Sequence, residues 1–125
     1  MPIRISIRAR RIVAGGLITT VCLVVTGLPI RSNADEAEAK VKMELGRKIF
    51  TQIAVPQCGV CHTLADAGTS GTIGAKLEEL KPDAARVANA VRDGVGVMPS
   101  YADKLTAEQI EAVAYYVSRA AGGAQ

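Results

Sequence analysis

The sequence predicts a small all-α domain, and three observations carry that expectation. No sustained alternation of apolar and polar residues argues for strands. Apolar residues instead recur three and four apart in three separate segments. The last segment also opens on a complete helix-start signal, Thr106 with Gln109 three residues on.

The elements follow in order. The first helix is expected over 35–53: its opening turn is acidic (Asp35, Glu36, Glu38), as the helix dipole favours, and Val41, Leu45, Ile49 and Ile53 stack at intervals of four. Pro56 closes it. A short turn then carries Cys58-Gly59-Val60-Cys61-His62. Residues 67–75, rich in Gly, Thr and Ser, read as a flexible surface loop. Gly68, Gly71 and Gly74 do not make a phosphate loop, since no strand precedes them and no Gly-Lys-Ser/Thr ending follows. The next helix is expected to begin near Pro82, a favoured first-turn residue. Ala84, Val87, Ala88 and Val91 form its stripe, and Gly94 stops it. Val95 to Tyr101 reads as an extended loop. In the final helix Leu105 and Ile110 are placed as a hydrophobic staple. Ile110, Val113, Ala114 and Val117 supply the buried face, and Gly122-Gly123 end it.

Residues 1–34 read as an export signal. Arg4, Arg8, Arg10 and Arg11 form a basic leader without acids, followed by nineteen uncharged residues from Ile12 to Ile30. Ser32-Asn33-Ala34 offers small residues at a cleavage site, placed after Ala34. A retained membrane anchor is the competing reading, because nineteen residues can just span a bilayer. Arg10-Arg11 counts as leader charge, and Val21 before Cys22 does not suit a lipobox. The whole chain has 15 basic and 12 acidic residues; five arginines and no acid fall in 1–34, leaving ten against twelve, or −2. The basic excess therefore belongs to the leader, and neither nucleic acid nor an anionic membrane surface is implied as partner. Residues 35–125 are long enough for one domain with a thin core, which a large covalently tied apolar body would staple.

Cys58 to His62 is the attachment pattern of c-type haem. Two thiols three apart share one face of a helical turn, so they can add to the two vinyl groups of one haem edge. The following imidazole can then reach the iron. His62 is the sole histidine of the chain. A redox dithiol would need a β-α-β setting, and a structural zinc site four Cys or His ligands. With no second histidine, the sulfur candidates for the opposite side are Met43 and Met98. Met98 sits in a glycine-flanked loop 36 residues after His62, stiffened by Pro99, with enough chain to wrap the haem. Its bland reading is a core gap-filler. Lys76 and Lys104 are poor ligands while charged.

From about Leu45 to Val117 the chain resembles a class I cytochrome c. The shared residues are Gly46 and Phe50, Cys58 to His62, Gly74-Ala75-Lys76-Leu77, Met98-Pro99 and Tyr116. The resemblance implies helices wrapped around one haem c, with His62 and Met98 on the iron and Leu77 among the haem-binding residues. It also implies first and last helices crossing where Gly46 and Phe50 meet Val113 and Tyr116. The family usually has Gly-Pro-x-Leu where this chain has Gly74-Ala75-Lys76-Leu77, and the carbonyl carried over as acceptor of the histidine proton is that of Ala75. Three further runs, Cys61 to Gly68, Leu80 to Val87 and Gly94 to Pro99, resemble the mono-haem cytochromes served by bacterial periplasmic sulfite dehydrogenases. That implies a molybdenum enzyme as electron donor and a terminal oxidase or another cytochrome as acceptor, in the periplasm. A six-coordinate haem leaves no open site for a substrate, so a carrier and not an enzyme is expected. A haem enzyme with an open sixth position, and a subunit fixed in a larger redox complex, stay open as alternatives.

Overall fold

The computed structural model describes residues 33–123. The expectations of an export signal, an anchor and a role for Cys22 lie outside the described residues. Among the described residues no helix is long and apolar enough to cross a membrane.

Among the described residues there are five α-helices, one π turn and one small hairpin. Helix α1 (Asn33–Lys48) has Asp35 and Glu36 in its first turn and Arg47 and Lys48 in its last, both signs favourable to the helix dipole. It runs on into a single π turn, Ile49–Ile53, closed by the Ala54 N–H on the Ile49 carbonyl at 3.1 Å. Pro56 follows on a cis bond to Val55.

The expected stripe of this helix is half wrong. Ile49 is fully buried, but Val41 is 65 % and Ile53 43 % exposed. Steps of four drift about 40° each on a helix of 3.6 residues per turn, so the four residues cannot share one narrow face. The buried line is Gly46, Ile49 and Phe50. It packs against α5 (Ala107–Ala120), whose buried face is Ile110, Val113, Ala114 and Val117 together with Ala112 and Tyr116. Gly46 is the point of closest approach: a Cβ there would strike the Ala112 carbonyl oxygen and lie 2.5 Å from Tyr116 Cβ. One helical turn on, the Phe50 and Tyr116 rings meet edge to face, 6.1 Å between centroids at 63°. Val113, expected at this crossing, is buried in the same core cluster and also lines the cleft described below.

Gly46→Ala is therefore expected to destabilise the protein by about 1–3 kcal/mol. Helix propensity alone would favour alanine by about 1 kcal/mol, but the obstacle is backbone of another helix and can yield only if the crossing opens. Denaturant midpoints of the two proteins give the sign, and a higher midpoint in the variant would contradict so tight a crossing.

Helix α5 starts and stops as its sequence demands. The Thr106 N–H donates to Gln109 Oε1 at 2.9 Å, and the Gln109 N–H to Thr106 Oγ1 at 3.2 Å. Leu105 and Ile110 are both buried. At the far end the Gly122 N–H reaches the Arg119 carbonyl and the Gly123 N–H the Ser118 carbonyl, the paired bonds of a Schellman ending. Gly122 takes φ 73° there.

Between the outer helices lie α2 (Cys58–Cys61), a hairpin of β1 (Thr63–Leu64) with β2 (Thr69–Ser70), α3 (Leu77–Leu80) and α4 (Ala84–Asp93). In the hairpin Thr63 pairs with Ser70 and Leu64 with Thr69, antiparallel. Helix α4 begins two residues after the expected Pro82. Asp83 is its cap, accepting the Arg86 N–H at 2.7 Å, because a carboxylate oxygen can satisfy a first-turn donor and a proline ring cannot. Val87 and Val91 are buried, and α4 packs on α5.

Candidate haem site

Cys58 and Cys61 open and close α2, a single helical turn, and the His62 N–H bonds back to the Cys58 carbonyl at 2.9 Å. Both thiols are free and half-buried. Burial pushes the Cys58 thiol up to about 11, so it stays protonated at neutral pH.

The segment expected to be a flexible loop instead packs hard on this motif. A Cβ on Gly59 would strike the Thr69 methyl group, and one on Gly71 would lie 2.7 Å from the His62 nitrogen. Thr69 Oγ1 donates to the His62 carbonyl at 3.0 Å, and the Gly74 N–H to the Cys61 carbonyl at 2.8 Å. Gly74 faces the imidazole itself, since its Cβ would sit 2.7 Å from His62 Nδ1. Without side chains at 71 and 74 the chain closes over the ring and brings the Ala75 carbonyl oxygen to 2.9 Å from Nδ1. A carbonyl can only accept, so Nδ1 carries the proton. The Nε2 lone pair is then free to bind a metal.

His62 lines a cleft of about 500 Å³ together with Cys58, Cys61, Ala75, Leu77 and Met98. These six residues, all expected at the site from the sequence, thus border one space. The remaining wall is mostly apolar: Phe50, Leu80, Pro82, Val87, Val91, Val113 and Val117 are part of it. Met43, the other sulfur candidate, lies on α1 against the core and does not border the cleft.

Met98 is held by a tight turn. Its N–H donates to the Val95 carbonyl at 2.9 Å, and its carbonyl accepts the Val95 N–H at 3.1 Å. Gly94 (φ 76°), just before this turn, and Gly96 (φ 59°), within it, take positive-φ conformations that favour glycine. The Ser100 hydroxyl on the Arg92 carbonyl at 2.5 Å and the Tyr101 N–H on the Val91 carbonyl at 2.9 Å fasten its far side to α4.

Sequence reasoning missed Tyr101. Its ring lines the cleft and its hydroxyl donates to the Pro56 carbonyl at 2.7 Å, joining the Met98 side of the cleft to the segment before Cys58. Burial, then the neighbouring Cys58 and Cys61, push its hydroxyl up to about 12. A hydroxyl aromatic three residues after a candidate ligand was the signal. Lys104 donates to the Val55 carbonyl at 3.1 Å and lies over the Tyr101 ring, while Lys76 pairs with Glu79 at 3.2 Å. Neither borders the cleft.

The arrangement fits haem c: apolar walls, two thiols three residues apart on one side, an imidazole with its acceptor nitrogen free, and a thioether on the same cleft. Among the described residues no cluster of three His, Cys, Asp or Glu side chains forms a cage for a bare metal ion.

Comparisons with known proteins agree. Residues 41–117 match the family model described as cytochrome C oxidase, cbb3-type, subunit III. Among solved structures the chain is similar to the c-type cytochrome SorU from Sinorhizobium meliloti, at 55 % identity and a TM-score of 0.64. That similarity covers 67 % of this chain and 95 % of the other. No curated protein matches. An all-α fold, a C-x-x-C-H turn on an apolar cleft and a family match across most of the domain lead to one conclusion: the chain belongs to the c-type cytochromes of the cbb3 subunit III family and carries a covalently bound haem c.

Proposed function

We propose that the protein is a periplasmic one-electron carrier whose haem is tied to Cys58 and Cys61 and ligated by His62 and Met98. The observation that carries this reading is the His62–Ala75 contact at 2.9 Å, which leaves Nε2 as the free donor on a cleft that also holds Met98. Bound haem c would supply a ferric/ferrous couple, and the Met98 thioether as a ligand beside His62 would shift it to higher potential.

The chain's own residues do the rest. The Ala75 carbonyl fixes the tautomer and orientation of the imidazole. Its position comes from backbone, so alanine in place of the family's proline does not remove it. The turn 94–98, anchored through Ser100 and Tyr101, holds the weak sulfur ligand in place. Leu77, with Phe50, Val87 and Val113, keeps water from the ring. With His62 and Met98 as the residues that would hold the haem iron, no place would be left for a substrate, and the protein would act as a carrier.

The donor in this reading is a periplasmic molybdenum sulfite dehydrogenase, and the acceptor a terminal oxidase or another cytochrome. The runs Cys61–Gly68, Leu80–Val87 and Gly94–Pro99 support the donor, alongside 55 % identity to SorU. Export by a cleaved segment ending at Ala34 belongs to the same proposal. Contacts between carrier and partner are expected to be small and short-lived. A second reading, a haem subunit fixed in a larger complex, draws on the family model's own description.

One preparation tests both levels. Made in a host that attaches haem c, the protein should keep its colour on the polypeptide through acidified organic solvent and gain one haem mass. Sulfite with a purified sulfite dehydrogenase should then reduce it within catalytic turnover times. Colour lost to the solvent removes the covalent attachment; attachment without reduction removes only the donor.

A further inference from the structure

We infer that Arg86 is the cationic anchor for a haem propionate, a role resting on the reading above that this cleft holds haem c. Haem carries two carboxylates on the half of the ring away from its vinyl groups. Once Cys58 and Cys61 fix the vinyl edge, both carboxylates must meet a different wall. Helix α2 packs on the π turn and β2, whereas α4 packs on α5 and enters the cleft from elsewhere. Arg86, in the first turn of α4, borders the cleft beside Val87, Ala90 and Val91.

Among the residues that line the cleft Arg86 is the one Lys or Arg, and no Asp or Glu lines it. Its backbone N–H is taken by the Asp83 carboxylate at 2.7 Å, but among the described residues its guanidinium shows no ion pair. The other side of Arg86 borders a shallow hollow with Asp83, Asn89 and Asp93, so it stands at the rim, between apolar interior and water. A carboxylate at the edge of an apolar cleft needs such a partner, and guanidinium presents two parallel N–H groups to a carboxylate as an ammonium cannot.

Arg92 provides an internal control. It lies on the same helix, donates to Asn89 Oδ1 at 3.0 Å and does not border the cleft. Arg86→Gln and Arg92→Gln remove the same charge from the same element.

Loss of a cation beside the propionate leaves more negative charge near the iron and favours the ferric form. In the haem-loaded protein, at a fixed redox buffer, Arg86→Gln should raise the ferric-to-ferrous ratio on the order of three- to tenfold. Its propionate carboxylate vibrations should also shift. Arg86→Lys should restore much of the ratio, and Arg92→Gln should leave both readouts near wild type. Unchanged ratio and vibrations in a folded, haem-loaded Arg86→Gln protein would overturn the assignment, as would an equal shift in Arg92→Gln. Wild-type protein without covalent haem would sink the underlying reading instead.

Discussion

His62→Ala is expected to lower the haem-to-polypeptide ratio at least tenfold and to leave a poorly folded chain. Two physical effects act together. The variant loses the one imidazole of the sequence and with it Nε2, the nitrogen left free while Nδ1 bonds the Ala75 carbonyl at 2.9 Å. It also leaves a hole beneath Gly74, where the missing side chain at 74 had made room for the ring. A domain of this size has a thin core, and the cleft of about 500 Å³ is lined by side chains that belong in a core. Val95 at 63 % and Val97 at 86 % exposure stand open unless the haem covers them. Haem absorbance against polypeptide mass, with far-ultraviolet circular dichroism, reports both losses. A red, fully helical His62→Ala protein at wild-type yield would remove the imidazole from its proposed place.

Much of this site could be read before any coordinates because its residues are consecutive or announce themselves. Cys58 to His62 is local chemistry on one helical turn, and Thr106 with Gln109 is local chemistry at a helix start. What the sequence hid was distant or too short to have a period. Helix α3 spans four residues, Leu77 to Leu80, and ends at Lys81 in a left-handed conformation (φ 45°) that nothing in the side chain requests. The hairpin of Thr63–Leu64 with Thr69–Ser70 is shorter than any alternation can reveal. The helix crossing at Gly46 is invisible to apolar patterning because the contact is made by the lack of a side chain. Val41 and Ile53 suffer from the reverse error: apolar identity suggested a core that the helix geometry turns away from.

The polar ties behave the same way. Tyr116 is wholly buried, and its hydroxyl donates to Asp66 Oδ1 at 2.6 Å across fifty positions of sequence. Arg47 donates to the Asp66 carbonyl at 3.1 Å, and the Ala65 N–H to the Glu78 carboxylate. These bonds lash the segment after His62 to both outer helices. Burial and the Asp66 carboxylate hold the Tyr116 hydroxyl well above its ordinary range, so it remains the donor at any physiological pH. No motif encodes this, since each partner is an ordinary residue for its own element.

Met98→Ala separates attachment from tuning. Haem should remain covalently bound, because thioethers at Cys58 and Cys61 do not depend on the opposite wall. The reduction potential should fall on the order of 0.2 V, within the span that axial ligands command. At 59 mV per tenfold change for one electron, that is roughly three orders of magnitude in the ferric-to-ferrous ratio. Thioether sulfur is a soft ligand that favours ferrous iron; water or hydroxide, admitted when the half-buried Met98 is cut back, favours ferric. Folding should suffer less, since the turn is held by backbone bonds between Val95 and Met98 and by Ser100 and Tyr101, which alanine leaves in place. Met43→Ala is the companion variant: the residue is partly buried against the core and does not border the cleft, so it should cost stability while leaving the potential within a few hundredths of a volt. Potentiometric titration with the ferric sulfur-to-iron charge-transfer band decides the matter. A band that survives in Met98→Ala and disappears in Met43→Ala would move the ligand from the loop to α1, and the electron carrier would then be built around a different sulfur.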